Sequence, residues 1–136
     1  MSIRAGIIGS GKKTGISTAH LHGYQACDDV IFGGVYDLDI ESAKAWCNEN
    51  NLPLSVACAS LDSFFDAVDA VSICTPNFTH IDFIVKALNA GKHVICEKPA
   101  GMPNDDFSSL KKLCAATNKV AMVNFNYRCI SGIRMK

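Results

Sequence analysis

The sequence predicts an α/β protein built on a doubly wound, mostly parallel sheet with helices on both faces. Three observations carry this. Short apolar runs alternate with segments of helical period along the whole chain. Most of those runs lack polar alternation, as do strands covered on both faces. A glycine-rich stretch, GIIGSGKKT, lies where the first run gives way to the first helical segment.

Residues 4–8 form the first strand candidate, and Ile16, Ala19, His20, Gly23, Tyr24 and Cys27 then fall at helical spacing. The second strand, 31–36, ends at Asp37, and Asp39 suits the N-cap of a following helix. A weak strand is expected at 55–58. Leu61, Phe64, Phe65 and Val68 mark a short helix before a strand at 70–75. Ile81, Ile84, Val85 and Leu88 repeat the helical stripe, which stops at Gly91. After a strand at 93–97, Pro103, Asn104, Asp105 and Asp106 lead into a helix carrying Phe107, Leu110, Leu113 and Cys114, and 120–125 is the last strand. These stripes are core positions. The closing YRCISGIRMK, with Ile130, Ile133, Arg134 and Lys136, opens a further helix too short to hold by itself, so the chain reads as cut.

The totals bound the function. At 136 residues the chain fits one domain that needs neither disulfides nor metals to fold. Thirteen basic and thirteen acidic residues cancel without forming blocks, which argues against a nucleic-acid partner. No apolar run is long enough to span a bilayer, and MSIRAGIIG is too short for a signal peptide, so a cytoplasmic protein without a membrane partner is expected. The seven cysteines are odd in number and never spaced C-x-x-C, which suits small buried thiols in a reducing compartment and implies no metal.

The glycine stretch admits two phosphate-binding readings. A nucleoside-triphosphate loop needs Ser or Thr directly after the lysine to hold magnesium, and Lys13 stands there, with Thr14 one residue late. A dinucleotide loop starting at Gly9 fits better, because backbone N–H groups and the positive end of a helix at a strand-to-helix junction favour a diphosphate. Gly9 and Gly11 begin that fingerprint. Its third small residue is Gly15 or Ser17; with Ser17 the spacing from Gly11 is six (17 minus 11) where three is usual, so the loop carries three extra residues, including Lys12 and Lys13. Asp37 follows Ser17 by twenty residues (37 minus 17), where a carboxylate accepts the adenosine ribose hydroxyls of a Rossmann-type domain. Its charge repels a 2′-phosphate, so NAD is favoured over NADP unless Lys12 or Lys13 compensates. The alternative role for Asp37 is a turn or cap. A glycine loop followed by an acid also fits an S-adenosylmethionine methyltransferase, and the two readings part in the second half of the chain.

That half reads VSICTPNFTHIDFIVKALNAGKHVICEKPAG at 71–101. It resembles the glucose-fructose oxidoreductase / inositol 2-dehydrogenase / MocA-like family through Thr75, Pro76, Asn77 and His80, then Gly91, Lys92, His93 and the Glu97-Lys98-Pro99 signature. Tyr36, Asp37, Leu38 and Asp39 resemble the family's second-strand end, and Asn124, Phe125, Asn126, Tyr127 and Arg128 its passage into a second domain. The resemblance implies an NAD(P)-dependent oxidoreductase acting on a sugar, cyclitol or related polyol. It places Thr75-Pro76-Asn77 against the nicotinamide half of the cofactor, Glu97 and Lys98 beside nicotinamide and substrate, and His80 where it helps shape the site. It also implies that the bond before Pro99 is often cis. Both turns fall beyond the carboxyl ends of strands, where ligands bind in such sheets. Lys98 is the candidate for stabilising the alcohol oxygen as charge develops.

On this reading 1–125 is the cofactor domain and 126–136 begins the connection to a second catalytic domain. The full-length form is expected to be a homo-oligomer, and the chain alone to bind NAD weakly and turn over little. A complete NAD-binding sensor without catalysis is the alternative. His20 is open between packing, capping and cofactor contact, His22 is taken as solvated, His93 has no assigned chemistry, and Tyr127 and Arg128 are candidates to approach cofactor or substrate.

Overall fold

The computed structural model describes residues 2–11 and 15–129. In chain order these form β1 (Ile3–Ile8), α1 (Ile16–Gln25), β2 (Val30–Tyr36), α2 (Ile40–Glu49), α3 (Leu61–Ala67), β3 (Ala70–Ile73), α4 (His80–Asn89), β4 (His93–Cys96), α5 (Phe107–Ala116) and β5 (Ala121–Val123). Single 3-10 turns stand at Leu54–Val56, Asn77–Thr79 and Asn126–Cys129. The strands make one sheet, every pair parallel, in the order β2-β1-β3-β4-β5.

The alternation of side chains along β1 explains the two cores. Ile7 packs on one face with Leu21 of α1 and Ala43, Trp46 and Cys47 of α2. Its neighbour Ile8 packs on the other with Phe64 and Phe65 of α3, and with Phe83, Ile84, Ala87 and Leu88 of α4. Complete burial of a side chain such as Phe64 contributes about 1.5–3 kcal/mol. Asp69, just before β3, is fastened to β1 by Arg4, whose Nη2 and Nε donate to its carboxylate at 2.7 and 3.1 Å.

The helix boundaries follow local chemistry. Asp39 caps α2 by accepting from Glu41 N at 3.1 Å and Ser42 Oγ at 2.7 Å, Ser60 and Ser63 form a capping box on α3, and Asp106 accepts from Ser109 N at 3.0 Å to start α5. Gly91, at φ 70, ends α4. The weak strand expected at 55–58 is corrected: Leu54–Val56 is a 3-10 turn, and only a bridge from Ala57 to Val35 pairs with the sheet. Pro53 leads the segment along the outer edge of β2, where the chain touches the ladder once and turns away.

Connections from β1 run to β2 on one side and, through β2, to β3 on the other, so the carboxyl ends of β1 and β3 flank the point where strand order reverses. The glycine loop leaves β1 there and the Thr75-Pro76-Asn77 turn leaves β3 there.

Candidate active site

Gly9 is the first fixed point. Its φ of 95° is a conformation that side chains rarely adopt, and a Cβ on it would lie 2.9 Å from both the carbonyl carbon of Cys74 and Cγ2 of Thr75. The loop after β1 therefore presses directly on the turn after β3. Gly11 differs, since a Cβ there would meet nothing within 4 Å among the described residues. Gly15, in the left-handed region at φ 63°, is the N-cap of α1 and supplies no side-chain cap. The first helical bond runs from Ala19 N to Gly15 O, so the N–H groups of Ile16, Ser17 and Thr18 have no acceptor among the described residues. Open space over Gly11 beside an uncapped helix start fits a diphosphate. Lys12, Lys13 and Thr14 lie outside the described residues.

Ser17 is buried and its hydroxyl donates to Ser10 O at 3.2 Å, which suits the close-packed third position of the fingerprint. Ser10 in turn donates to Asp37 Oδ2 from both its backbone nitrogen, at 2.9 Å, and its hydroxyl, at 2.6 Å. Asp39 N donates to the other oxygen at 3.2 Å. Asp37 is thus pinned at the end of β2 and keeps further acceptor capacity. It lines a cleft of about 200 Å³ with Gly9, Gly11, Leu38, Thr75, Pro76 and Phe78 among its walls. Leu38 and Phe78 are 83% and 73% exposed, so this mouth carries two uncovered apolar side chains.

The second half of the site rests on His80. Its ring is wholly buried, with Nδ1 2.6 Å from Pro99 O and Nε2 2.9 Å from Thr75 O. One imidazole therefore braces the turn after β3 against the bend after β4. Both partners are carbonyl acceptors, so a neutral ring donates to one of them and only an imidazolium to both; with no exposed surface, His80 stands behind the two turns instead of reaching into the cleft. Thr79 Oγ lies 2.7 Å from both Thr75 Oγ and Pro76 O, tightening the first turn, while Pro76 and Asn77 are exposed. The Lys98-Pro99 peptide bond is cis.

Lys98 is exposed, and its ammonium has no partner among the described residues. Glu97 beside it is 8% exposed. Its Oε1 accepts from Asn124 Nδ2 at 2.6 Å and from His20 Nε2 at 2.9 Å. Burial by itself pushes this carboxyl up, but the hydrogen bonds from His20 and Asn124 outweigh it, so the group lies below the ordinary glutamate value. Ser10 and Asn124 are site residues that the sequence reading gave no such role. His20, left open there, proves to be a Glu97 partner. Tyr127 and Arg128 lie in the last 3-10 turn. His93 Nδ1 accepts from Val120 N at 3.1 Å and serves the sheet. The terminal residues 130–136 lie outside the described residues.

A family model described as an oxidoreductase family with an NAD-binding Rossmann fold matches residues 3–125. The chain belongs to this family. Glucose-6-phosphate 3-dehydrogenase of Bacillus subtilis is 29% identical over 132 residues, which cover 97% of this chain and 36% of the relative. UDP-N-acetylglucosamine 3-dehydrogenase from Acidithiobacillus ferrooxidans superposes with a TM-score of 0.84 at 28% identity, over 98% of this chain and 42% of that one. An inositol dehydrogenase homologue from Azotobacter vinelandii, solved with NAD+, gives 0.79 at 26% identity over 94% and 35%. The chain spans about a third of the length of the curated relatives it matches. Membership of the Rossmann oxidoreductase family decides between the two nucleotide readings in favour of the dinucleotide and against the methyltransferase. Among the described residues no helix is long and apolar enough to cross a membrane.

Proposed function

We propose that this chain is the cofactor half of an oxidoreductase that moves hydride between NAD and a secondary alcohol of a sugar, cyclitol or related polyol. Residues 1–125 form the cofactor domain, and 126–136 begin the connection to a second, catalytic domain. The observation that carries this reading is the His80 brace, which puts the Thr75-Pro76-Asn77 turn and the Glu97-Lys98-Pro99 bend side by side next to the glycine junction.

NAD, when bound, supplies the hydride acceptor. Gly11 and the start of α1 take the diphosphate, and Asp37 accepts the ribose hydroxyls, its negative charge favouring NAD over NADP. Leu38 and Phe78 offer apolar surface to the adenine end, and Thr75, Pro76 and Asn77 face the nicotinamide half. Lys98 holds its ammonium free for the alcohol oxygen, where it stabilises developing negative charge. Glu97 contributes an ionised carboxylate that orients a hydroxyl of cofactor or substrate. The second domain supplies the remaining wall and, as in the family, an aspartate and a histidine; the chain alone binds NAD weakly and turns over little. The full-length form is a cytoplasmic homo-oligomer.

The experiment is to offer NAD+ and a panel containing inositol, glucose 6-phosphate and UDP-N-acetylglucosamine to the full-length protein and follow NADH formation. Turnover of at least one member is expected. Tight NADH binding with no turnover of any polyol or sugar would favour the sensor reading instead.

A further inference from the structure

A part-buried chain of polar side chains runs from the first helix to the end of β4. Tyr24 OH is hydrogen-bonded to Ser72 Oγ, Ser72 Oγ lies 2.7 Å from His20 Nδ1, and His20 Nε2 lies 2.9 Å from Glu97 Oε1. Asn124 closes the other side at 2.6 Å. Four separate parts of the fold, α1, β3 and the segments after β4 and β5, thus converge on one carboxylate.

Hydrogen accounting fixes the Glu97 end of the chain. A carboxylate only accepts, so His20 Nε2 carries a hydrogen. In the neutral ring Nδ1 then accepts from the Ser72 hydroxyl, whose oxygen accepts from Tyr24, and every hydrogen points toward Glu97. Two donors fill Oε1. The other oxygen receives, among the described residues, only the Lys98 N–H at a long 3.4 Å. A buried carboxylate with one oxygen saturated and the other so weakly satisfied, directly before a free lysine, is prepared for a donor from outside the domain.

We propose that His20 is a positioning residue for the oxidoreductase reaction: through the Tyr24-Ser72-His20 chain, α1 holds Glu97 ionised with Oε2 turned over to a hydroxyl of cofactor or substrate. The proposal rests on the function proposed above. The same helix carries Ser17, bonded to Ser10, which pins Asp37, so one rigid element orients the acids at both ends of the site. The titratable groups facing Glu97 are His20 from α1, Cys74 after β3, Cys96 on β4 and the adjoining Lys98. Burial pushes the Cys74 thiol far up and that of Cys96 up to about 12, so neither carries charge in the working range. Loss of the His20 donor therefore leaves burial less opposed at Glu97, and its carboxyl rises.

The test uses the full-length enzyme and the variants His20→Phe and His20→Gln. In His20→Phe the dissociation constant for NADH should stay within about threefold of wild type, while kcat falls on the order of tenfold to a hundredfold. The acid limb of the kcat profile should move to higher pH, and His20→Gln, which keeps an N–H donor, should recover part of both changes. An unchanged kcat and acid limb in His20→Phe overturns the proposal. Should His20→Phe fail to fold, the assigned ring-nitrogen resonances of wild-type His20 decide: a protonated Nε2 is expected, and an unprotonated one overturns it. A wild-type protein that neither binds NADH nor turns over a polyol or sugar removes the functional reading and the proposal with it, whereas an active wild type with an indifferent His20→Phe removes the proposal alone.

Discussion

Replacing Gly9 and Gly11 by alanine, one at a time, should separate the fold of the glycine loop from its binding role. At Gly9, holding an alanine at φ 95° costs about 1–2 kcal/mol. Its Cβ would also lie 2.9 Å from the Cys74 carbonyl carbon, a backbone atom that cannot swing away, and overpacking of this kind costs about 1–3 kcal/mol. Together these give roughly 2–5 kcal/mol. For a cooperative unit of 136 residues the unfolding entropy converts each kcal/mol into about 3.5 °C, so Tm should fall by roughly 7–17 °C. At Gly11 the new methyl meets nothing within 4 Å among the described residues and φ lies outside the left-handed region, so stability should change by less than about 1 kcal/mol. NADH affinity should nevertheless drop about tenfold or more, because the methyl enters the space assigned to the diphosphate. Near-UV circular dichroism melts and NADH titrations of both variants supply the two readouts. A Gly9→Ala protein that melts with wild type, or a Gly11→Ala protein that binds NADH like wild type, refutes the reasoning.

Other perturbations address the acids and the lysine. Asp37→Ala should weaken NADH more than NADPH, and equal losses in the two titrations would sink the ribose assignment; some loss of loop order is built in, since Ser10 gives up two bonds. Lys98→Ala in the full-length enzyme should reduce kcat far more than NAD affinity, and unchanged turnover would remove it from the chemistry. Asp69 is held at about 2 by hydrogen bonds from the Arg4 side chain and backbone, below its ordinary 3.8. Its small, half-exposed contribution to stability is therefore complete above the ordinary value and lost as pH falls from there toward 2. Asp69→Asn should flatten that stretch of the acid stability curve, and an unaltered slope would contradict the assignment.

Much of this was legible because the signals were local. Short, mainly apolar runs such as VSIC and HVIC mark doubly covered strands, and Gly91 and Asp39 mark helix ends, so the sheet and most helices follow from composition and punctuation. The helix α2 carries, besides its Asp39 cap, apolar residues at helical spacing in Ile40, Ala43, Trp46 and Cys47, but Trp46 finds its place through Phe32 and Thr18, partners distant in sequence. The segment at 55–58 reads as a strand because Val56 and Cys58 alternate, but register with β2 depends on a bend that alternation does not encode. At the site, the glycines and Asp37 stood out as types at strand ends, and the Glu97-Lys98 pair through the family resemblance. Ser10, Asn124 and the Ser72-Tyr24 end of the His20 chain did not, since a serine or asparagine acquires its role only when a residue tens of positions away is brought alongside it.

The central claim is that a dinucleotide lies across the switch point, with its nicotinamide end beside Lys98. Backbone amide shifts of the isotopically labelled protein, followed as NADH is added, test it most directly. Changes are expected at Gly9, Gly11, Ile16, Ser17, Asp37, Thr75, Asn77, Glu97 and Lys98, with Asn51 and Asp69 at the opposite end of the strands left still. Shifts confined to the amino ends of the strands, or none at saturating NADH and NADPH, would contradict it.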